Sequence, residues 1–195
     1  MYELIAHRGI CDKDVKQNSL ASIKRALLND KYVGVEFDVR ETLDNEIILY
    51  HDAFYNNKLI SNTYYKELPK YVPKLETILK IKSDKIFLIE LKNIKNNYNK
   101  FINILNKHKN KNIYVMSFSN KVIEKVNIED RKYKIGILNY VLNTNKSTLN
   151  LEFICILNSL IKNDIVNKLK DLEIFSYGLF DKKSLKNIYY IVDAV

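Results

Sequence analysis

VGVEFDVRETLDNEIILYHD, residues 33–52, contains two apolar runs of strand length, 33–39 and 47–50, separated only by residues 40–46. A crossover between parallel strands needs about a dozen residues or more, so this spacing is too short for one. Asp44-Asn45, a turn signal, lies in the gap. We therefore interpret residues 33–52 as a hairpin, in which the second strand is an antiparallel arm.

Strand-length apolar runs recur along the rest of the chain at 3–6, 86–91, 113–118, 135–138, 152–157, 174–177 and 190–195. Segments with helical spacing lie between most of them, at 19–28, 75–81, 98–105, 121–126, 161–169 and 184–188. This alternation is typical of α/β folds with parallel strands. Without the antiparallel arm, eight strands remain. They predict a compact (β/α)8 TIM barrel that takes residues 1–195 as a single domain, with a β-hairpin arm after strand 2. An open, doubly wound sheet is the alternative.

The composition is that of an ordinary globular protein, and its net positive charge favours binding partners that are anions. The 195 residues carry a formal net charge of +9, but the lysines are spread along the whole chain, so we expect no nucleic-acid groove. No run reaches the roughly 18 apolar residues of a membrane span, and peripheral membrane contact stays open. Cys11 and Cys155 predict neither a disulfide framework nor a zinc site, and a cytoplasmic location is expected.

Three carboxylates stand out in strand-like surroundings. Glu36 and Asp38 are two residues apart, so both side chains face the same side of their strand. Glu90 interrupts the apolar run 86–91 and offers a third oxygen ligand. Taken alone, the first pair is also compatible with a solvent-facing strand. The three together predict a site for a hard divalent cation, Mg²⁺ or Ca²⁺.

Two histidines and two positively charged side chains lie at or near predicted strand ends. His7 and His51 each stand beside a charged residue, and imidazole can both give and take a proton near neutral pH. Either histidine alone could be structural, but their pairing with the carboxylates favours catalysis. Arg8 and Lys92 supply positive charge for a phosphate, although Arg8 alone could equally form a surface salt bridge. His108 is assigned no role.

An ordered set of motifs resembles the glycerophosphodiester phosphodiesterase family. The set is Ala6-His7-Arg8-Gly9, Gln17-Asn18-Ser19-Leu20, Glu36-Phe37-Asp38-Val39, Thr42-x-Asp44, His51-Asp52, Pro73-x-Leu75-Glu76 and Glu90-Leu91-Lys92. The motifs follow the family's order and come near its spacing. The clear resemblance covers residues 2–92, and Ser117-Phe118 continues it.

The resemblance implies an enzyme that cleaves a glycerophosphodiester to glycerol 3-phosphate and an alcohol. A divalent ion would lie on Glu36, Asp38 and Glu90, with His7 and His51 as the acid/base pair. Arg8 and Lys92 match the phosphate-contacting positions. A cyclic phosphate, formed by attack of a substrate hydroxyl, is compatible with this site. Related barrels cleave lysophospholipids, so a lysophospholipase D-like activity is an alternative.

The chain departs from the family pattern at several positions. Gln17 stands where the family usually has Glu, and Tyr177-Gly178-Leu179-Phe180 replaces a Trp-Thr-Val-Asn strand. The closing Thr-Asp-x-Pro motif is absent, and the insertion that helps to select the head group, residues 53–73, is short. An inactive, anion-binding barrel is therefore a further alternative. The leaving alcohol, the preferred ion and the oligomeric state do not follow from the sequence.

Overall fold

The computed structural model describes residues 2–92, 94–95, 97–108, 111–140, 149–178, 185 and 188–194. Leu179 and Phe180 of the expected late strand, most of the helix expected at 184–188, and Val195 lie outside the described residues.

Eleven strands and five α-helices follow one another along the described chain. The strands are β1 (Glu3–Ile10), β2 (Gly34–Glu41), β3 (Ile47–Leu49), β4 (Phe54–Tyr55), β5 (Lys58–Leu59), β6 (Ile86–Leu91), β7 (Asn112–Ser117), β8 (Lys134–Asn139), β9 (Phe153–Leu157), β10 (Glu173–Tyr177) and β11 (Ile188–Ala194). The helices are α1 (Leu20–Leu28), α2 (Leu75–Leu79), α3 (Tyr98–Lys107), α4 (Asn120–Val126) and α5 (Asn163–Lys168). Short 3₁₀ turns cover Ile60–Asn62, Tyr65–Glu67 and Asn158–Leu160.

Eight parallel strands close on themselves. The order β1-β11-β10-β9-β8-β7-β6-β2 is completed by a pairing of β1 with β2. Closure confirms the predicted (β/α)8 barrel and excludes the open, doubly wound sheet. In such a barrel the loops after the strands gather at one end, which we call the mouth.

The antiparallel arm predicted from residues 33–52 is present. Val39 pairs with Leu49, and Glu41 pairs with Ile47. The same register places His51 opposite Phe37, as the sequence predicts, and the Tyr50 amide donates to the carbonyl of Asp38 at 3.1 Å. The small β4–β5 hairpin that follows was not predicted.

Apolar and aromatic side chains fill the barrel interior below the mouth. Tyr114, Phe153 and Phe175 meet edge to face, with ring centroids 5.1–5.4 Å apart. Gly136 leaves room for this layer, because a Cβ there would lie 2.5 Å from the ring of Phe153. Side chains alternate along a strand, so residues two positions after an interior residue point into the mouth.

A second apolar layer lies between the strands and the outer helices. In α1, Ile23, Ala26 and Leu27 are buried against the barrel. Ser19 caps this helix, since its side chain accepts a hydrogen bond from the Ser22 amide. Within the described ranges, no helix combines the length and the apolar character needed to cross a membrane.

Candidate active site

The register of neighbouring strands brings the predicted residues together at the mouth. His7 on β1 pairs with Glu36 on β2, and Asp38 pairs with Glu90 on β6. Glu36 and Asp38 follow Gly34 on the inward face of β2, as the two-residue period predicts. The three carboxylates are buried, and they can each offer an oxygen atom within 4.8 Å of the others.

Burial and mutual repulsion act on these acids. Burial raises the pKa of Glu36 well above its usual range, and the carboxylates of Asp38 and Glu90 raise it further. Burial also raises the pKa of Glu90, although Lys92 opposes this shift. For Asp38 burial acts in the same direction, but the charges of Lys92 and Arg8 lower its pKa overall. The cluster therefore holds a proton more tightly at Glu36 than at Asp38.

Lys92 lies among the acids. Its Nζ is 3.0 Å from Asp38 Oδ1 and also contacts Glu90 Oε1. Burial lowers the pKa of Lys92, but the two carboxylates outweigh this effect and raise it overall. Its ammonium group therefore supplies positive charge to the cluster.

Arg8 reaches the acids because the backbone turns sharply after His7. Arg8 has φ 55°, and Gly9 follows with φ 83°. The Arg8 amide donates to Glu36 Oε2 at 3.2 Å, and its Nε lies 3.2 Å from Asp38 Oδ2. Arg8 Nη1 donates to Gln17 Oε1 at 3.0 Å, so Gln17 holds the guanidinium without adding a negative charge.

Both histidines have a carboxylate at Nδ1. His7 Nδ1 is 2.6 Å from Asp193 Oδ1 on β11, while its Nε2 is 3.9 Å from Glu36 Oε2. His51 Nδ1 is 2.8 Å from Asp52 Oδ1. A carboxylate at Nδ1 favours a proton on that nitrogen and leaves Nε2 available for chemistry.

Arg40 fixes the backbone of His51. Its Nε and Nη2 donate to the His51 carbonyl oxygen at 2.9 and 2.7 Å. Burial lowers the pKa of Arg40, against the opposing effect of Asp38 and Glu90. The position of His51 thus depends on a partly buried side chain from β2 as well as on the hairpin.

The predicted residues line one cavity of about 490 Å³, which we call the mouth cavity. Its polar wall includes His7, Arg8, Glu36, His51, Glu90 and Lys92, and its apolar wall includes Met116, Phe118, Leu138, Tyr140, Tyr177 and Ile191. Asp38 lies behind the polar wall, 1% exposed. Six of the seven predicted site residues therefore face one space, and the seventh supports them.

Asn18, Asp193 and Arg40 contact residues of the site, although no role was predicted for them from the sequence. The Asn18 side chain donates to Asp38 Oδ2 at 2.9 Å and accepts from the Asp38 amide at 3.1 Å. Asn18 does stand within a quoted motif, and Arg40 continues the inward face of β2 after Asp38. Asp193 had no local signal, because its contact with His7 arises only when the barrel closes.

The donor set fits a hard divalent cation. Three carboxylates converge, and Asp38 Oδ1 is a buried oxygen that receives no well-directed hydrogen bond, although Lys92 Nζ is 3.0 Å away. Oxygen ligands of this kind suit Mg²⁺ or Ca²⁺ rather than a soft metal. His108 is remote from this set in the sequence and does not line the mouth cavity.

A protein-family model matches the part of the chain that contains most of the motifs. Residues 7–72 match the model of the glycerophosphoryl diester phosphodiesterase family. This match confirms the resemblance seen in the sequence. None of the curated proteins compared with this sequence matches it.

Solved structures share the barrel. A glycerophosphodiester phosphodiesterase from Parabacteroides distasonis is 22% identical with a TM-score of 0.82, covering 98% of this chain and 92% of its own. One from Thermotoga maritima is 21% identical with a TM-score of 0.77, and the match covers 98% of this chain and 94% of the Thermotoga maritima chain. An Oleispira antarctica phosphodiesterase, solved with its product sn-glycerol-3-phosphate, is 17% identical with a TM-score of 0.81, covering 96% and 92%. At these identities the likeness establishes the fold.

Proposed function

We propose that this chain belongs to the glycerophosphoryl diester phosphodiesterase family, whose model residues 7–72 match, and that it hydrolyses glycerophosphodiesters to glycerol 3-phosphate and an alcohol. The proposal takes residues 1–195 as one catalytic barrel domain. The observation that carries it is the convergence of three buried carboxylates beside one cavity, which Glu36 and Glu90 line together with both histidines. The product bound by the Oleispira antarctica phosphodiesterase supports a small-molecule substrate of the same kind.

Glu36, Asp38 and Glu90 would hold the divalent ion, Mg²⁺ or Ca²⁺. When bound, such an ion polarises a phosphoryl oxygen and offsets negative charge that develops in the transition state. Arg8 and Lys92 add fixed positive charge on the same side. Arg8 can grip phosphate oxygens through two N–H groups, and Lys92 acts as a point charge.

His7 and His51 would move the protons. One imidazole accepts a proton at Nε2 from the attacking hydroxyl, and the other donates one to the leaving alcohol oxygen. If the attacking group is a hydroxyl of the substrate, a cyclic phosphate forms, and the same pair opens it with water in reversed roles. Acid/base catalysis of this kind contributes about 10²- to 10⁴-fold in rate.

A lysophospholipid is the second candidate substrate. The apolar wall supports it, since Phe118 and Tyr140 stack with ring centroids 4.4 Å apart and remain 39% and 61% exposed at the mouth. An acyl chain would find apolar surface there, and peripheral membrane contact would accompany such a substrate. The inactive barrel is disfavoured because all seven predicted site residues are present. A cytoplasmic location stays a prediction.

The test is release of glycerol 3-phosphate. Purified protein is incubated with a panel of glycerophosphodiesters and lysophospholipids, with Mg²⁺ or Ca²⁺ and then with a chelator. We expect ion-dependent release of glycerol 3-phosphate, with loss of about 10²- to 10⁴-fold in His7→Gln and in His51→Gln. Release of a head group from lysophospholipids alone would favour the second candidate.

Two further outcomes would count against the proposed enzymatic function or against the roles of the two histidines. No turnover on the whole panel, with folded protein, would support the anion-binding barrel. Activity undiminished in His7→Gln and His51→Gln would contradict the acid/base assignment. His108→Gln is the matched control, because this histidine lies outside the mouth cavity and its replacement is expected to leave the rate unchanged.

A further inference from the structure

A groove of about 520 Å³ adjoins the mouth cavity near the ends of β6 and β7. Glu90, Lys92 and Phe118 line both spaces, so the groove and the cavity are continuous. A phosphodiester carries two substituents that leave the phosphorus in different directions. Two connected spaces beside one reacting centre can hold one substituent each.

The groove is bounded by Arg40 on the side of His51. Arg40 donates from Nε and Nη2 to the His51 carbonyl, an uncharged partner, so its guanidinium is held in place without a direct carboxylate contact there, while the charges of Asp38, Glu90 and Asp52 act on it from further away. Lys92 also lines the groove, but its charge is balanced by Asp38 and Glu90. Arg40 is therefore the cation of the groove lining whose direct hydrogen bonds to the His51 carbonyl go to an uncharged group, whereas Lys92 contacts two carboxylates.

Two serines, Ser117 and Ser119, also line the groove, together with the apolar side chains of Leu91, Phe118 and Val122. Ser117 is buried, and its hydroxyl donates to the Leu91 carbonyl and accepts from the Ser119 amide. Ser119 itself is exposed in the groove.

We propose that the groove beside Arg40 receives the leaving alcohol and selects hydroxyl-rich or anionic alcohols over cationic ones such as choline. The proposal rests on the proposed phosphodiesterase function and adds its substrate class. A guanidinium donates hydrogen bonds to hydroxyls and carboxylates, whereas it repels a quaternary ammonium group. On this arrangement His51, whose carbonyl Arg40 holds, is the imidazole next to the leaving oxygen.

The test varies the charge of the alcohol and of the groove separately. The substrates are three glycerophosphodiesters whose alcohols are glycerol, glycolate and choline. The variants are Ser119→Asp, which places a carboxylate in the groove, and Ser119→Asn, its uncharged match. Neither variant changes a residue of the proposed catalytic set, and Ser119 is exposed, so both are expected to fold.

In the unchanged protein, kcat/KM for the glycerol and glycolate diesters should exceed that for the choline diester by about tenfold, from the interaction of one charge pair near the surface. Ser119→Asp should lower the ratio of glycolate to choline turnover by about tenfold relative to Ser119→Asn. A choline diester cleaved as fast as the others would overturn the proposal. Equal ratios in the two variants would overturn it as well.

Binding separates this proposal from the proposed function. Calorimetric titration of the three diesters into His7→Gln protein with Ca²⁺ should give the same order of affinity. If no diester is hydrolysed but the order holds, the phosphodiesterase function fails and the groove assignment stands. If binding shows no preference by charge, the groove assignment fails, whether or not the diesters are hydrolysed.

Discussion

Lys92 Nζ lies 3.0 Å from Asp38 Oδ1, and the same ammonium group contacts Glu90. Two carboxylates that are proposed to bind a divalent ion therefore also contact the ammonium group of a lysine. Removing one partner of a buried charged pair leaves the other uncompensated, which is destabilising. Lys92 thus links the stability of the barrel mouth to its capacity for cations.

Lys92→Met should lower the melting temperature and enlarge the stabilisation given by a divalent ion, because Glu90 then loses its contacting ammonium and Asp38 keeps only the guanidinium of Arg8. The measurement is the shift of the melting temperature with added Ca²⁺ or Mg²⁺. Lys134→Met is the matched control, since Lys134 contacts Glu173 in another part of the barrel. Its melting temperature should fall without gaining ion-dependent rescue. An equal ion response in both variants would contradict the account.

Ion binding should strengthen as pH rises. Burial raises the pKa of Glu36, so this carboxyl keeps its proton at pH values where an ordinary glutamate is ionised, and an ion must displace that proton. Without an ion, the protonated form favours the folded state at low pH, and this stabilisation is lost as pH rises through the raised pKa.

The measurement is the Ca²⁺-induced shift of the melting temperature at pH 5.5 and pH 8. We expect a larger shift at pH 8, and we expect Glu36→Gln to lose most of the ion response at both values. A shift of the same size at both pH values in the unchanged protein would show that Glu36 does not control ion binding.

Asp193→Asn tests whether the carboxylate at His7 Nδ1 orients the imidazole. The Asp193 side chain is 90% exposed, so the fold should be unaffected. We expect kcat to fall about 10- to 100-fold, as for other residues that orient a functional histidine, with little change in KM. In a His7→Gln background, Asp193→Asn should cause no further fall in kcat. Equal losses of kcat in both backgrounds would show that Asp193 does not act through His7. Asp164→Asn is the control variant, since Asp164 is an exposed acid on α5.

Gly136→Ala tests the packing below the site. A Cβ at Gly136 would lie 2.5 Å from the Phe153 ring, which is held between Tyr114 and Phe175. The free energy of unfolding in urea should fall by about 1–3 kcal/mol, the usual cost of overpacking. Adding Phe153→Leu should recover part of this loss. Unchanged stability in the single variant would show that the interior is loosely packed.

The fold followed from local patterns to a large degree. The short gap at residues 40–46 excluded a crossover, and the register of Val39 with Leu49 placed His51 as predicted. The acids could be grouped because side chains alternate along a strand, so Glu36 and Asp38 had to share a face. These inferences need only neighbouring residues and the geometry of the backbone.

The features that could not be predicted from the sequence depend mainly on contacts between residues that are far apart in the chain. The pairing of β1 with β11, which brings Asp193 to His7, forms only on closure of the barrel. β1 also extends to Ile10, beyond the predicted end at Ala6, because His7 and Arg8 are polar and gave no strand signal. The β4–β5 hairpin is two residues per strand and too short for a periodic pattern.

Glu36, Asp38 and Glu90 are proposed to hold one divalent ion, with a phosphate between His7 and His51. A crystal soaked with Mn²⁺ and glycerol 3-phosphate, with the ion located by anomalous scattering, tests this arrangement. We expect one strong anomalous peak among the three carboxylates and the phosphate within hydrogen-bond distance of both imidazoles. An ion bound elsewhere, or a phosphate away from both histidines, would contradict the account.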